Sequence, residues 1–218
     1  MQLSALTQLE KLVLMHTNQG PGRVPSTGYD ALVPLAPTLK TLFVFFHHTP
    51  NILSALTGLK SLAIDVLTPQ DEQLLEAGLR SLRQLERLNV DKARGAPPRA
   101  LAALTQLKSL QWGTPFAPQG ELPAGQWLNS LQTLQVHPII LLNSLDYVSE
   151  STSLRLVHVN AKDVHATCEL LDKLTQQQWF LQVNVSDELR RSGDYPRLVE
   201  RANAAAVRGA PSLRILLA

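Results

Sequence analysis

The 218-residue chain lacks the sequence features that secreted and membrane proteins usually have. It contains one cysteine, Cys168, so no disulfide can form within the chain, and this favours a reducing compartment. Its first residues lack the basic and apolar segments of a signal peptide. No stretch approaches the roughly 20 apolar residues that a membrane helix needs. These features predict a cytoplasmic protein that does not contact a membrane.

An excess of charge of one sign is also lacking. The chain has 20 Lys and Arg against 18 Asp and Glu, which gives a net charge of +2. The isoelectric point is 8.8, and the basic residues are scattered. A nucleic-acid-binding domain usually has a clustered basic face and a pI above about 9. We therefore expect no nucleic-acid partner.

The sequence contains few motifs that carry chemistry. It has no Gly-x-Ser-x-Gly elbow and no Gly-x-x-x-x-Gly-Lys phosphate loop. His165 and Cys168 could place two metal ligands on one helix face, but a zinc site needs three or four. Cys168 is in phase with the apolar Val164 and Leu171, which predicts a core position. We expect no catalytic activity, cofactor, metal or small-molecule substrate.

What the chain has in excess is leucine, with 42 of 218 residues. Four segments align without gaps on the pattern Leu-x-x-Leu-x-x-Leu-x-x-Leu-x-apolar, namely residues 3–14, 53–64, 79–90 and 101–112. Weaker copies are Leu39-x-x-Leu42-x-Val44, Leu131-x-x-Leu134-x-Val136 and Leu154-x-x-Val157-x-Val159, and two poor copies are Phe180-x-x-Val183-x-Val185 and Leu213-x-x-Leu216. Successive copies are 20 to 33 residues apart, which is typical of a repeat protein.

This pattern and this spacing resemble the leucine-rich repeat family over essentially the whole chain. The resemblance implies an α/β solenoid, or horseshoe, with a parallel β-sheet on the concave face and mixed helices and loops on the convex face. We expect a single domain over residues 1–218 with about eight or nine irregular repeats, most similar to those of plants and green algae. The chain starts and stops close to repeat positions, which predicts missing terminal caps and a fragment of a longer protein.

One feature of the family is missing from these repeats. It is the asparagine that hydrogen-bonds the backbone where the chain leaves each strand. Its place is taken by Thr17, His47, Leu67, Ala93, Pro115, Ile139 and Lys162. We therefore expect other partners at these turns, and irregular stacking.

The connectors between the repeats are of two kinds. Helix signals occur over residues 68–82, where Thr68 precedes a proline and acidic residues, and over residues 163–177 and 194–208, where apolar residues recur at helical spacing. Asp187 and Glu188 are expected to start a helix, because acidic residues complement the helix dipole there. Gly and Pro predict loops over residues 18–25, 91–98 and 113–125.

The candidate binding surface is the concave face, because strand residues that alternate with the core leucines point there. The candidate partner-binding residues are Val13, Met15, Phe43, Phe45, Arg87, Asn89, Gln111, Gln135 and His158. The first four predict an exposed apolar patch, whereas the middle and later repeats are polar and small. Exposed apolar patches mark interaction sites, and aromatic residues are common anchors of interfaces.

A structural role for this patch is an open alternative. The patch could lie against a missing cap or a flanking domain. A register shift of one residue would also exchange Phe45 with Phe46, which is expected to point to the opposite side.

The resemblance implies a non-catalytic scaffold that binds another protein, since most members of the family are protein-interaction modules. One alternative is the substrate-recognition part of a larger ubiquitin ligase. Another is a signalling or immune receptor whose other domains are missing. Both alternatives require segments outside these 218 residues.

Overall fold

The computed structural model describes residues 8–15, 26–45, 49–66, 68–113, 120–174, 179–208 and 214–217. In this part of the chain nine strands form one parallel sheet, and their order in the sheet is their order in the sequence. The strands are β1 (Lys11–Met15), β2 (Thr41–Phe45), β3 (Ser61–Asp65), β4 (Arg87–Asp91), β5 (Ser109–Trp112), β6 (Thr133–Val136), β7 (Leu156–Asn160), β8 (Phe180–Asn184) and β9 (Arg214–Leu217). Each strand pairs only with its neighbours in sequence, as in a solenoid.

Helical segments connect the strands and form a second layer. The α-helices are α1 (Pro69–Leu79), α2 (Pro138–Asn143), α3 (Leu145–Val148), α4 (Val164–Lys173), α5 (Asp187–Arg190) and α6 (Tyr195–Arg208), and 3₁₀ helices span Ser26–Leu35, Leu53–Ala55, Arg99–Ala103 and Gln126–Asn129. Helix α1 packs against the 3₁₀ helices at 53–55 and 99–103, and α4 packs against both α2 and α6. The outer segments therefore stack on one another, as the strands do.

The core between the two layers consists of alternate strand residues. One row of buried side chains contains Leu42, Leu62, Leu88, Leu110, Leu134, Val157 and Leu181. A second row contains Val44, Ile64, Val90, Trp112, Val136, Val159 and Val183. One repeat alone could not bury these side chains, so each repeat depends on the repeats beside it. The fold is an α/β leucine-rich-repeat solenoid, which confirms the fold class predicted from the repeats.

Backbone hydrogen bonds join neighbouring repeats at the amino ends of the strands. The carbonyl oxygen of Glu10 accepts from the N–H groups of Lys40 and Thr41, at 2.8 and 2.9 Å. The same pair of bonds recurs at the carbonyls of residues 40, 60, 86, 108 and 132. One carbonyl has two lone pairs and can accept both bonds. This repeated backbone arrangement helps to keep the strands in register.

The turns at the carboxyl ends of the strands find several different partners. The N–H of Val66 donates to the carbonyl of Asp91 (2.9 Å), and the N–H of Ala93 donates to the carbonyl of Gly113 (2.8 Å). The buried carboxylate of Asp71 accepts from the N–H of Thr49 at 2.8 Å. Among the positions that replace the asparagine of the family pattern, Ala93 thus has a backbone partner, and Thr17, His47, Leu67 and Pro115 lie outside the described residues.

The predicted helices are present, and their ends follow the capping rules. Thr68 and Asp71 form a capping box at the start of α1, Asp163 caps α4 by accepting from the N–H of Ala166 at 2.9 Å, and Ser186 caps α5. In contrast, α2, α3 and the 3₁₀ helix Ser26–Leu35 were not predicted. Helix α2 consists largely of a run of apolar residues without helical periodicity, so its signal was weak. The predicted loop at 18–25 lies outside the described residues.

The two poor repeat copies were assigned the wrong register. In β8 the core positions are Leu181 and Val183, which pair with Val157 and Val159, whereas the sequence pattern assigned them to Val183 and Val185. The error arose because the shifted frame also places apolar residues two apart. In β9 it is Ile215, and not Leu216, that pairs with Leu181.

Candidate functional site

The strand residues that alternate with the core form three parallel rows on the concave face. The register places the central row at Val13, Phe43, Ala63, Asn89, Gln111, Gln135, His158 and Gln182. The first row includes Lys11, Thr41, Ser61 and Arg87. The third row includes Met15, Phe45, Asp65 and Asp91. The structure thus places all nine candidate residues on this face of the sheet.

The apolar side chains of β1 and β2 lie side by side. Val13 pairs with Phe43, and Met15 pairs with Phe45. Val13 is 43% exposed and Met15 is 66% exposed, while both phenylalanines are half-buried. The two rings are 6.2 Å apart between centroids and tilted by 52°, a separation typical of aromatic pairs. We call these four residues the apolar patch.

A lysine borders the apolar patch. The Nζ atom of Lys11 lies 5.6 Å from the centroid of the Phe43 ring, which is within the range of a cation–π contact. The patch therefore combines an apolar surface with one positive charge at its edge.

Strand β3 separates the apolar patch from the rest of the concave face. Its small Ala63 is buried between Phe43 and Asn89 in the central row. Asp65 is 2% exposed and forms an ion pair with Lys92, with 2.9 Å between Nζ and Oδ2. Lys92 has a φ of 57°, a left-handed conformation that is uncommon outside glycine. Sequence reasoning missed this closed strip, because the burial of Ala63 and Asp65 depends on the side chains of other repeats.

Side-chain amides dominate the central row beyond β3. Asn89, Gln111, Gln135, His158 and Gln182 come from five consecutive strands, and all five are half-buried. The Nε2 atom of Gln182 donates to Oδ1 of Asn184 at 3.0 Å. Among the residues that the structure describes, Gln111, Gln135 and His158 have no side-chain hydrogen bond, and the buried Oδ1 of Asn89 has no donor. This amide row can therefore donate to and accept from a ligand.

A cleft of about 290 Å³ lies beside the amide row, at the carboxyl ends of β4 to β7. Gln135, His137, Asn160 and Lys162 are among the residues that line it. The Nδ1 atom of His137 accepts from the N–H of Ile139 at 3.3 Å. Burial lowers the pKa of His137, and so does Lys162, while Asp163 acts in the opposite direction. At neutral pH the cleft therefore presents a neutral imidazole.

The later repeats also present an apolar contact that sequence reasoning overlooked. Leu156 pairs with Phe180 in the first row, and both side chains are half-buried. Sequence alternation placed Leu156 on the concave face, but the wrong register of β8 assigned Phe180 to a core position. Arg87, also in the first row, is exposed.

The described residues contain no group of three or more His, Cys, Asp or Glu side chains that could hold a metal ion. Cys168 is buried, and burial raises the pKa of its thiol. No helix in the described part of the chain is long and apolar enough to cross a membrane.

No protein-family model matches the chain, and no curated protein matches it. Among solved structures, the chain is similar to an internalin from Listeria monocytogenes strain 4b F2365, with 14% sequence identity and a TM-score of 0.37. The match covers 98% of this chain and 55% of the internalin chain, so this chain spans about half the length of that protein.

Proposed function

We propose that this chain is a non-catalytic protein-interaction module that binds a partner protein through the concave face of its sheet. The observation that carries the proposal is the apolar patch on β1 and β2. Val13 and Met15 expose large apolar side chains beside two half-buried aromatic rings. Contiguous exposed apolar surface is uncommon on soluble proteins and marks interaction sites.

The apolar patch and the amide row have different roles in this mechanism. The patch anchors the partner, because binding energy concentrates in a few residues, and aromatic side chains are prominent among them. The amide row then forms hydrogen bonds with the partner, which position it along the sheet. Arg87 and Lys11 add positive charge in the first row, where acidic groups of a partner would meet it.

The wider context is part of the same proposal. Residues 1–218 form a single domain of the leucine-rich repeat family with irregular repeats of the plant and algal type, and the protein acts in the cytoplasm. The repetition of leucine on alternate strand positions supports the family, and the single buried cysteine is consistent with a reducing compartment.

A pull-down from native lysate tests this function. The parent protein is compared with a Phe43→Asp, Phe45→Asp double variant, after circular dichroism has shown that both fold. Val33→Asp, Val207→Asp is the matched control, because these two valines are 44% and 86% exposed and lie on the 3₁₀ helix Ser26–Leu35 and on α6. The proposal expects a partner that the parent and the control retain and the patch variant loses. Retention by a folded patch variant would refute the patch as anchor.

A further inference from the structure

The outer layer contains a cavity that has no role in the proposed binding through the concave face. It has a volume of about 340 Å³ and lies between α1 and residues 95–98. Its apolar lining includes Leu75, Pro98 and Trp112. Trp112 and Leu75 are core residues that form its floor. The volume lies at the lower end of the range for ligand pockets, which is about 300–1,000 Å³.

The walls of this cavity are held in place by specific contacts. The indole N–H of Trp112 donates to the carbonyl of Gly95 at 2.8 Å, which fixes the loop wall. The N–H of Ala100 donates to Oε2 of Glu76 at 3.3 Å, which ties the next repeat to α1. Helix α1 also lies close to the preceding repeat, because a Cβ on Gly78 would come within 2.5 Å of Leu53. A ligand would therefore enter a preformed site and cause little ordering.

Two carboxylates on α1 line the cavity, and they differ in their partners. Glu76 forms an ion pair with Arg80, with 3.0 Å between Oε1 and Nη2. Glu72 is half-buried and has no ion pair among the described residues. Arg94 and Arg99 flank the loop wall in sequence but are exposed and do not line the cavity. The cavity thus combines an apolar floor with one carboxylate, in the first turn of α1, that has no ion pair among the described residues.

From this combination we infer that the cavity between α1 and residues 95–98 binds the side chain of an arginine or lysine presented by a partner protein. These side chains have an apolar stem that suits the floor and a cationic head that can reach Glu72. The cavity is a half-open cleft, so the backbone of the partner would run outside it in solvent. Arginine is the better fit, because its planar guanidinium also stacks on aromatic rings.

The test uses the blocked peptide acetyl-Gly-Arg-Gly-amide, titrated into the full chain and followed by the NMR signals of the Trp112 indole and residues 95–98. A matched peptide with norleucine in place of arginine keeps the stem and removes the charge. We expect the arginine peptide to bind about five- to tenfold more tightly, because a hydrogen bond in a half-open, solvated cleft contributes about as much as an ordinary neutral one. Equal affinity for the two peptides would overturn the inference.

Two variants and one further probe complete the test. Glu72→Gln should weaken the arginine peptide about five- to tenfold, while Glu188→Gln, the same change in the first turn of α5, should have no effect. Ala96→Phe should fill the cavity and abolish binding in a folded protein. Unchanged affinity in Glu72→Gln, or binding that survives in folded Ala96→Phe, contradicts the site. If free agmatine binds more tightly than the peptide, the cavity serves a small cation instead, and the protein partner is wrong.

Discussion

The two halves of the concave face have the same core beneath them and different chemistry above it. On β1 and β2 the face exposes Val13 and Met15 beside two aromatic rings. From β4 to β8 its central row consists of side-chain amides and a histidine. Apart from Trp112 in β5, the core rows under both halves are leucine, isoleucine and valine. In a parallel strand, every second residue is thus free to change without cost to the core, which is how one fold can present different binding surfaces.

The largest expected effect is a difference in stability between a core variant and a variant of the concave face. Leu88→Ala removes a buried side chain and should lower the free energy of unfolding by about 2–5 kcal/mol. Gln111→Ala, on the neighbouring strand but on the concave face, should change it by less than about 0.5 kcal/mol. Urea denaturation of the two variants measures the difference. Similar losses from both would mean that the amide row is structural and not a binding surface.

A smaller loss of stability is expected from removing the ion pair on β3, the strand that divides the two halves of the face. Lys92→Met removes the cation that faces the buried Asp65, and a buried carboxylate that loses a partner costs about 1–3 kcal/mol. Lys108→Met is the control, because Lys108 pairs with Glu86 at the surface, where such pairs contribute at most about 1 kcal/mol. The same denaturation experiment compares them. If the control is the more destabilised variant, the ion pair with Lys92 does not stabilise the buried Asp65 of β3.

The smallest effect concerns pH and the amide half alone. Burial lowers the pKa of His158, so the unfolded chain binds a proton more readily than the folded one. Stability should therefore be fully present above the unfolded pKa of about 6.5 and should fall as the pH drops below it. His158→Gln should flatten this dependence, and His165→Gln, at an exposed position of α4, serves as the control. An unchanged acid dependence in His158→Gln would contradict the assignment.

The accuracy with which the sequence predicts strand register depends on how clearly the leucine pattern is repeated. The frame of β1 to β7 follows from leucines that recur at the same positions, so one ambiguous residue could not shift it. In β8 and β9 the pattern is weak, and the assigned frames were wrong by two residues and by one. Lys92 and its ion pair were beyond prediction, because Asp65 lies 27 positions away in the sequence and no local pattern marks the left-handed conformation of Lys92.

The sequence predicted which residues lie on the concave face, but it did not predict that β3 divides this face into two halves. Alternation along the strands was enough to place Phe43 and Gln135 on one face. It could not show that Ala63 and Asp65 would be buried there, since that depends on the side chains of the neighbouring strands. The cavity beside Trp112 involves a loop and a helix from different repeats, which no local pattern relates.

The affinity of a captured partner for variants of the two halves tests the central claim most directly. The apolar patch is changed by Val13→Asp, Met15→Asp, the amide row by Gln111→Ala, Gln135→Ala, and the control is Val33→Asp, Val207→Asp. Titration calorimetry on folded proteins should show a loss of at least about tenfold for the patch variant, because each anchor residue contributes more than about 1 kcal/mol. The amide variant should lose less, and the control should bind as the parent does. A patch variant that binds with the parent's affinity would contradict the account.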